Sequence, residues 1–510
     1  MALVVFIVFF AVGIFLRERV LADPDTGWHI AAGDLIRDAG ALPHTDPWSY
    51  TAGDQPWYNL SWGYDVALSL VHQWGGLPAV VVMTVLLYAA AVAFVAALAL
   101  KSSRSVIAAM IAACAAGALL ASGLLARPQL VSFLLALGVY ALARFGSPRQ
   151  LWAIPILMIV WANAHGAFLS GFVIIGMFFV EAAAARDVAR AKSLALIGVA
   201  AIAALFANPY GVGVVAATQL TMASVLKPYL IEWRSTDLGL NPASFYLAAL
   251  VAVWGFFDRR IPLADRLLAA FWIAVGLTSA RMMQMTALLA APYFAQSLVL
   301  RLSQTPAAAA IAARDKSYTD DLARPLVRRA LAISAAAGVI LVSVPGVQRA
   351  LAGGGDFAAM RASITPAAAM SFLDAHYPGA RIYNQYDFGG WMAFARRGAP
   401  AVFFDGRADT AYPREVLKDG VILGLMAPLA DPAQGATAQF NEAQFDEASW
   451  RALTEKYRID AFVLATPAPL CDVLGDLAGW TAVYDDATAR VFVRADLAAA
   501  SGPRRGPGED

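Results

Sequence analysis

The stretch LPAVVVMTVLLYAAAVAFVAALAL (residues 77–100), closed by KSSR (101–104), decides the fold. It is an uncharged apolar run long enough to cross a bilayer, which takes about 20 residues, and it ends in two cations. Working outward, further apolar stretches lie at 2–16, 106–125, 130–143, 152–163, 168–184, 194–207, 244–257, 267–280, 286–300 and 330–344. Several are shorter than a usual span, and together they predict about eleven transmembrane helices.

Charge in the gaps sets the orientation. One set of loops holds Lys101 and Arg104, then Arg144 and Arg149, then Arg186, Arg190 and Lys192, then Arg259, Arg260 and Arg266. Its last member holds Arg301, Arg314, Lys316, Arg324, Arg328 and Arg329. The opposite set keeps only Arg17, Arg19, Arg37, Arg127, Lys227, Arg234 and Arg281. Cations are retained in the cytoplasm, so the first set is predicted to be cytoplasmic, the amino terminus inside, and residues 17–72 and the tail outside. In a bacterium this is a multi-pass inner-membrane protein with a periplasmic carboxy-terminal domain.

Composition agrees. The chain is 60% hydrophobic and 15% charged, with mean hydropathy +0.60, a balance foreign to soluble domains. A net charge of +1 gives no reason to expect nucleic acid as a partner. Cys114 falls in a predicted span and Cys471 in the tail, so a disulfide framework is excluded. Residues 2–16 lack the basic start of a signal peptide and end in Arg17 and Arg19, so they read as an uncleaved span. The missing basic start is also what a chain beginning further upstream would give.

Four regions follow: 1–73, a span and a long periplasmic loop; 74–344, the polytopic body; 345–500, a periplasmic α/β domain; and 501–510, a disordered tail rich in Gly, Pro and charge. In the α/β domain, strands are predicted at 381–383, 401–404, 461–464, 481–484 and 489–493, with helices at 447–457 and at 366–376, the latter capped by Thr365. Phe388-Gly-Gly and Asp405-Gly read as turns, although Asp387, Asp405, Arg407 and Asp409 would also suit a ligand.

The long loop carries Asp23-Pro-Asp-Thr-Gly-Trp-His, then Pro43-His-Thr-Asp-Pro-Trp-Ser-Tyr. Pro24 keeps Asp23 and Asp25 extended, so both carboxylates face one way. Such a pair activates a hydroxyl, holds a divalent cation or grips a sugar; alone it also makes an ordinary turn. His29, four residues past Asp25, shares its face on a helix beginning there. The aromatics Trp28, Trp48, Tyr50, Trp57, Tyr58, Trp62 and Tyr64 suit the headgroup zone. Asp46 reads as a turn-former.

Polar groups cluster at the outer span ends: Arg127-Pro-Gln, Trp161-Ala-Asn-Ala-His165-Gly, Asn208-Pro-Tyr-Gly, Lys227-Pro-Tyr-Leu-Ile-Glu232-Trp-Arg234 and Ser279-Ala-Arg281. Asn208-Pro-Tyr-Gly is by itself a good helix stop, and arginines also snorkel to headgroups. A phosphate near that surface explains why the cation-poor side keeps its few cations beside span ends.

One long acidic first loop, a polytopic body and an outer tail resemble the GT-C fold of membrane glycosyltransferases. More narrowly, the wording resembles a bacterial family of that fold whose members often have no assigned substrate. The marks are the two loop motifs above, Trp161-Ala-Asn-Ala-His-Gly, Asn208-Pro-Tyr-Gly, Glu232-Trp, Asn384-Gln-Tyr-Asp-Phe-Gly-Gly-Trp and Phe404-Asp-Gly-Arg-Ala-Asp. The resemblance implies a polyprenyl-phosphate or -diphosphate sugar donor, a glycan, lipid or protein acceptor, and an acidic base that falls on Asp25 or Asp23. It leaves a divalent cation open. On this reading Asp25, Asp23 and His29 are catalytic. Arg281, Lys227, Arg127, His165 and Arg234 hold the donor phosphate, and Trp57, Trp62 and Glu232 contact sugar or acceptor. Two rivals are a lipid-linked sugar flippase, which would want charge in mid-span, and a non-catalytic scaffold indifferent to Asp23 and Asp25.

Overall fold

The computed structural model describes residues 1–53, 55–230, 233, 258–325, 365–396, 402–425 and 445–501, with isolated positions between 329 and 347. The predicted span at 244–257, almost all of that at 330–344, Glu232, Arg234 and residues 502–510 lie outside this set. The chain forms two compact units: Met1–Val20, Val71–Val214 and Ile231–Gly355 make the first, and Leu21–Leu70, Val215–Leu230 and Asp356–Asp510 the second.

The first unit is helical. Its helices are α1 (Ala2–Phe15), the later part of α3 (Trp62–Ser103), α4 (Val106–Ala121), α5 (Gln129–Phe145) and α6 (Ala153–Ala164). They continue with α7 (Leu169–Ala184), α8 (Val188–Leu205), α10 (Leu263–Thr278), α11 (Met283–Leu289), α12 (Ala291–Leu302) and α13 (Ala308–Ala323). α2 (Thr26–Ala39) belongs to the second unit, and α9 (Gly213–Met222) straddles the division. α3 is broken at Gly75 and Gly76, the latter at φ 66°, just where the apolar run of 77–100 begins. Ser105 caps α4 through Ala108 N (3.1 Å), and Asp187 caps α8 through Arg190 N (3.0 Å). Small residues let helices close up: a side chain at Gly117 would strike Phe9, and one at Gly13 would strike Val85.

Among the described residues three helices are long and apolar enough to cross a membrane: Trp62–Ser103, Gly166–Ala184 and Val188–Leu205. Ala280–Leu289 and Ala291–Leu302, bent by 57°, make a fourth if they are one broken span. Ala2–Phe15, Val106–Ala121, Gln129–Phe145 and Gly213–Met222 are apolar but shorter. The chain is an integral membrane protein.

The second unit holds a four-stranded mixed sheet of order β1-β2-β4-β3, from β1 (Ile382–Asn384), β2 (Ala461–Ala465), β3 (Trp480–Asp485) and β4 (Ala489–Arg494). β1 runs parallel to β2, and the other pairs are antiparallel. Its helices include α14 (Ala367–His376), α15 (Tyr386–Ala395), α16 (Arg414–Leu423) and α17 (Glu447–Tyr457). α14 begins after Pro366 with no side-chain cap, so Thr365 is not its N-cap. Three further predictions need correction. Phe388-Gly-Gly is no turn but lies inside α15, where the bare faces of Gly389 and Gly390 let Phe404 O and Pro24 O approach. Of the predicted strand 401–404, the described residues 402–404 form no sheet strand; Val402 bridges to Ser49 instead. Asn384 Nδ2 donates to Phe404 O (3.0 Å) and Phe403 N to Asn384 Oδ1 (2.8 Å), so that backbone is satisfied without a ladder. The loop aromatics Trp28, Trp48, Trp57 and Tyr64 are buried in protein, at 7, 4, 1 and 4% exposure, not laid in headgroups.

Candidate functional site

The acidic motif belongs to the second unit. Asp25 is the N-cap residue of α2, and His29 N donates to its carbonyl (3.2 Å). Asp23 is fully buried and its Oδ1 accepts from Asp25 N (3.1 Å), so the two carboxylates are tied through the backbone. Asp25 keeps partial exposure, and its Oδ1 accepts from Trp28 Nε1 (3.1 Å).

His29 is 4% exposed. Its Nδ1 lies 2.6 Å from Oδ1 of the buried Asp65, and its ring stacks on Trp28. Asn59 Nδ2 donates to the other Asp65 oxygen (2.7 Å). A buried carboxylate facing one imidazole nitrogen fixes which nitrogen carries the proton, as in other oriented histidines. Asp65 and Asn59 escaped the sequence reading, because the acid lies 36 residues from its partner. Trp62 is half-buried.

Asp46 makes its expected turn, accepting from Trp48 N (2.9 Å) and from Ser49 Oγ. It also meets Arg407, a partner the sequence did not disclose. Arg407 is fully buried and forks onto Asp46 (Nη1–Oδ1 2.5 Å) and Asp405 (Nη2–Oδ2 2.7 Å; Nε–Oδ1 2.8 Å). It also donates to Tyr412 Oη (2.9 Å). Trp48, Trp57 and Tyr412 present ring faces 4.8, 5.0 and 5.4 Å from the guanidinium. Burial alone would push this guanidinium down, but the Asp405 and Asp46 carboxylates more than reverse that and hold it well above its ordinary value. Burial pushes the Tyr412 phenol up, so it stays protonated and donates to Asp405 Oδ2 (3.1 Å). Trp57, predicted to contact sugar, has its ring on this ion cluster.

In the first unit the structure brings together two of the predicted phosphate cations. Arg127 and Arg281 line one cleft of about 180 Å³ with Ser122, Gln129, Gln284 and Phe133. Gln129 donates to Gln284 on its wall. Arg281 also lies 5.3 Å from the ring of Trp233. On α5, Ser132 Oγ accepts from Trp161 Nε1 (2.8 Å) and lies 2.7 Å from His165 Nδ1, an arrangement in which the hydroxyl donates to the imidazole. Asn208 Nδ2 donates to Ala162 O (2.8 Å), closing the stop after α8. Lys227 falls in the second unit, where Nζ donates to Met222 O (2.5 Å). Among the described residues no three His, Cys, Asp or Glu side chains converge as a metal-ligand set.

No protein-family profile and no curated protein matches the sequence. Solved structures do match. The apo oligosaccharyltransferase of Archaeoglobus fulgidus aligns with TM-score 0.54 at 13% identity, covering 91% of this chain and 69% of that one. The same figures hold for that organism's AglB in complex with an inhibitory peptide and a dolichol-phosphate. Its complex with Zn and sulfate aligns at 0.52 and 14% identity, over 90% of this chain and 68% of that one. The fold is GT-C-like.

Proposed function

We propose that the chain is a membrane glycosyltransferase that moves a sugar from a polyprenyl-phosphate or -diphosphate donor to an acceptor on the extracytoplasmic face. The pairing of Arg127 and Arg281 around one cleft carries the reading. Two guanidiniums with an amide beside them suit a lipid phosphate, whose charge grows as the sugar leaves. The fold supports it, since the aligned AglB structure contains a dolichol-phosphate and a peptide. A lipid phosphate leaves readily, so the demand on the protein is a base. Asp25 takes the acceptor's proton as its nucleophilic atom attacks the anomeric carbon, with Asp23 fixing the backbone beneath it. The lipid phosphate departs in the same displacement, which inverts the centre. His165, Lys227 and Arg234 are further phosphate contacts, His29 acts with Asp65, and Trp62, Trp57 and Glu232 are assigned to sugar or acceptor.

Asp25→Asn and Asp23→Asn in the full chain are expected to lower transfer from a radiolabelled hexosyl-polyprenyl phosphate, Asp25→Asn by about 10²–10⁴-fold. Full activity in both variants overturns the base assignment. Arg281→Ala and Arg127→Ala are expected to raise the donor KM by about tenfold or more, the worth of a charged hydrogen bond, without shifting the melting temperature. An unchanged KM in both removes the cleft from the reaction.

A further inference from the structure

The geometry points to Gly406 as the residue that seats the Asp25 carboxylate: the Asp405-Gly406-Arg407 turn is a positioning element for the base, and glycine is required there by contact. The inference rests on the reading of Asp25 as the base. A Cβ built on Gly406 would lie 1.6 Å from Asp25 Oδ1 and 2.5 Å from its Cγ, so the carboxylate rests directly on the glycine backbone. Trp28 Nε1 holds the same oxygen at 3.1 Å. Asp25 is therefore fixed by an indole N–H and by a backbone surface.

That surface cannot yield. Arg407 N donates to Asp405 Oδ1 (3.0 Å) and Ala408 N to Asp405 O (3.1 Å), which closes the turn. The buried fork from Arg407 to Asp405 and Asp46 then anchors it. Gly406 is not among the glycines at positive φ, so alanine fits the backbone there, and the three atoms nearest the added methyl all belong to the Asp25 carboxylate. The atom it meets is the end of a rotatable side chain, so the chain accommodates the methyl by turning the carboxylate away. The fold persists while the base is re-aimed.

A control sits nearby. A Cβ on Gly390 would lie 2.1 Å from Pro24 O, a backbone atom that cannot rotate aside. Gly390→Ala is thus expected to lower the melting temperature of the full chain in detergent, whereas Gly406→Ala leaves it near that of the parent. In transfer from hexosyl-polyprenyl phosphate, Gly406→Ala is expected to lower kcat by about 10²-fold, the scale of a displacement of about 1 Å, with the donor KM unchanged. In an Asp25→Asn background the same change adds no further loss, because the group it displaces is already disabled. If Asp25→Asn is impaired while Gly406→Ala keeps the parent's kcat, the seating role is wrong and the base reading stands. If Gly406→Ala loses its melting transition, the methyl was not absorbed by Asp25, and the seating role is again wrong. If Asp25→Asn is fully active, the base reading falls and takes the positioning role with it.

Discussion

Arg407 shows how one side chain can hold distant sequence together. Its guanidinium has no exposure and satisfies two carboxylates 2 and 361 residues away. Removing it leaves Asp46 and Asp405 as uncompensated buried charges, which costs about 3–5 kcal/mol. Arg407→Ala is therefore expected to lower the melting temperature of the detergent-solubilised chain sharply. Arg407→Lys is expected to rescue little of it, since an ammonium cannot make the planar fork. A melt like the parent's in Arg407→Lys would show that charge alone suffices. The sequence marked Asp46 as a turn residue, which it is, but a local pattern holds no trace of a partner so far along the chain. Asp65 stayed hidden for the same reason. Arg127 and Arg281, which the structure brings to one cleft, drew attention in the sequence because each follows the end of an apolar run, and such a boundary is a local signal.

At the scale of elements, α2 packs against the first turns of α3 through Gly33, where a Cβ would lie 2.0 Å from Asp65 O and 2.6 Å from Ser69 Cβ. The contact is backbone against backbone. Gly33→Val is expected to push the two segments apart, lengthen the 2.6 Å pairing of His29 with Asp65 and lower the melting temperature. A melt indistinguishable from the parent's would contradict this packing account. Helix positions were readable from apolar runs: 106–125 became Val106–Ala121 and 130–143 became Gln129–Phe145. The helix Tyr386–Ala395 was not readable, because Gly389-Gly390 has the local signature of a turn. Tertiary contact with Pro24 O and Phe404 O accounts for both glycines, and contact does not show in propensity.

For the molecule as a whole, the folded tail is not built from tail residues alone. The apolar core around β1 and β2 also takes in Trp28, Ala31, Trp48, Ala52 and Trp57 of the first loop and Leu226. Expressed by itself, a 356–510 fragment would expose the apolar faces those residues cover. It is expected to aggregate or to lack a cooperative melt in size-exclusion and thermal assays. A monodisperse, cooperatively melting fragment would show that the loop contributes little. Both cysteines, Cys114 and Cys471, are free thiols. In a background with both changed to serine, Ala487→Cys, on the exposed hairpin, is expected to react with a membrane-impermeant maleimide from the extracytoplasmic side. Labelling only after permeabilisation would reverse the orientation. The charge alternation that predicts this orientation is a whole-chain property, read from the cations in successive loops and not from any motif.

The bond from Arg407 to Asp46 also sets a timetable for biogenesis. At roughly 5–20 residues per second, the ribosome delivers Arg407 about 20–70 s after Asp46. Through that interval the emerging loop has its acid but not its cation, and Trp48 and Trp57 have no guanidinium to cover. A nascent chain stalled before residue 407 would carry Asp46 without the guanidinium that pairs it in the folded chain, a species for quality-control proteases to find.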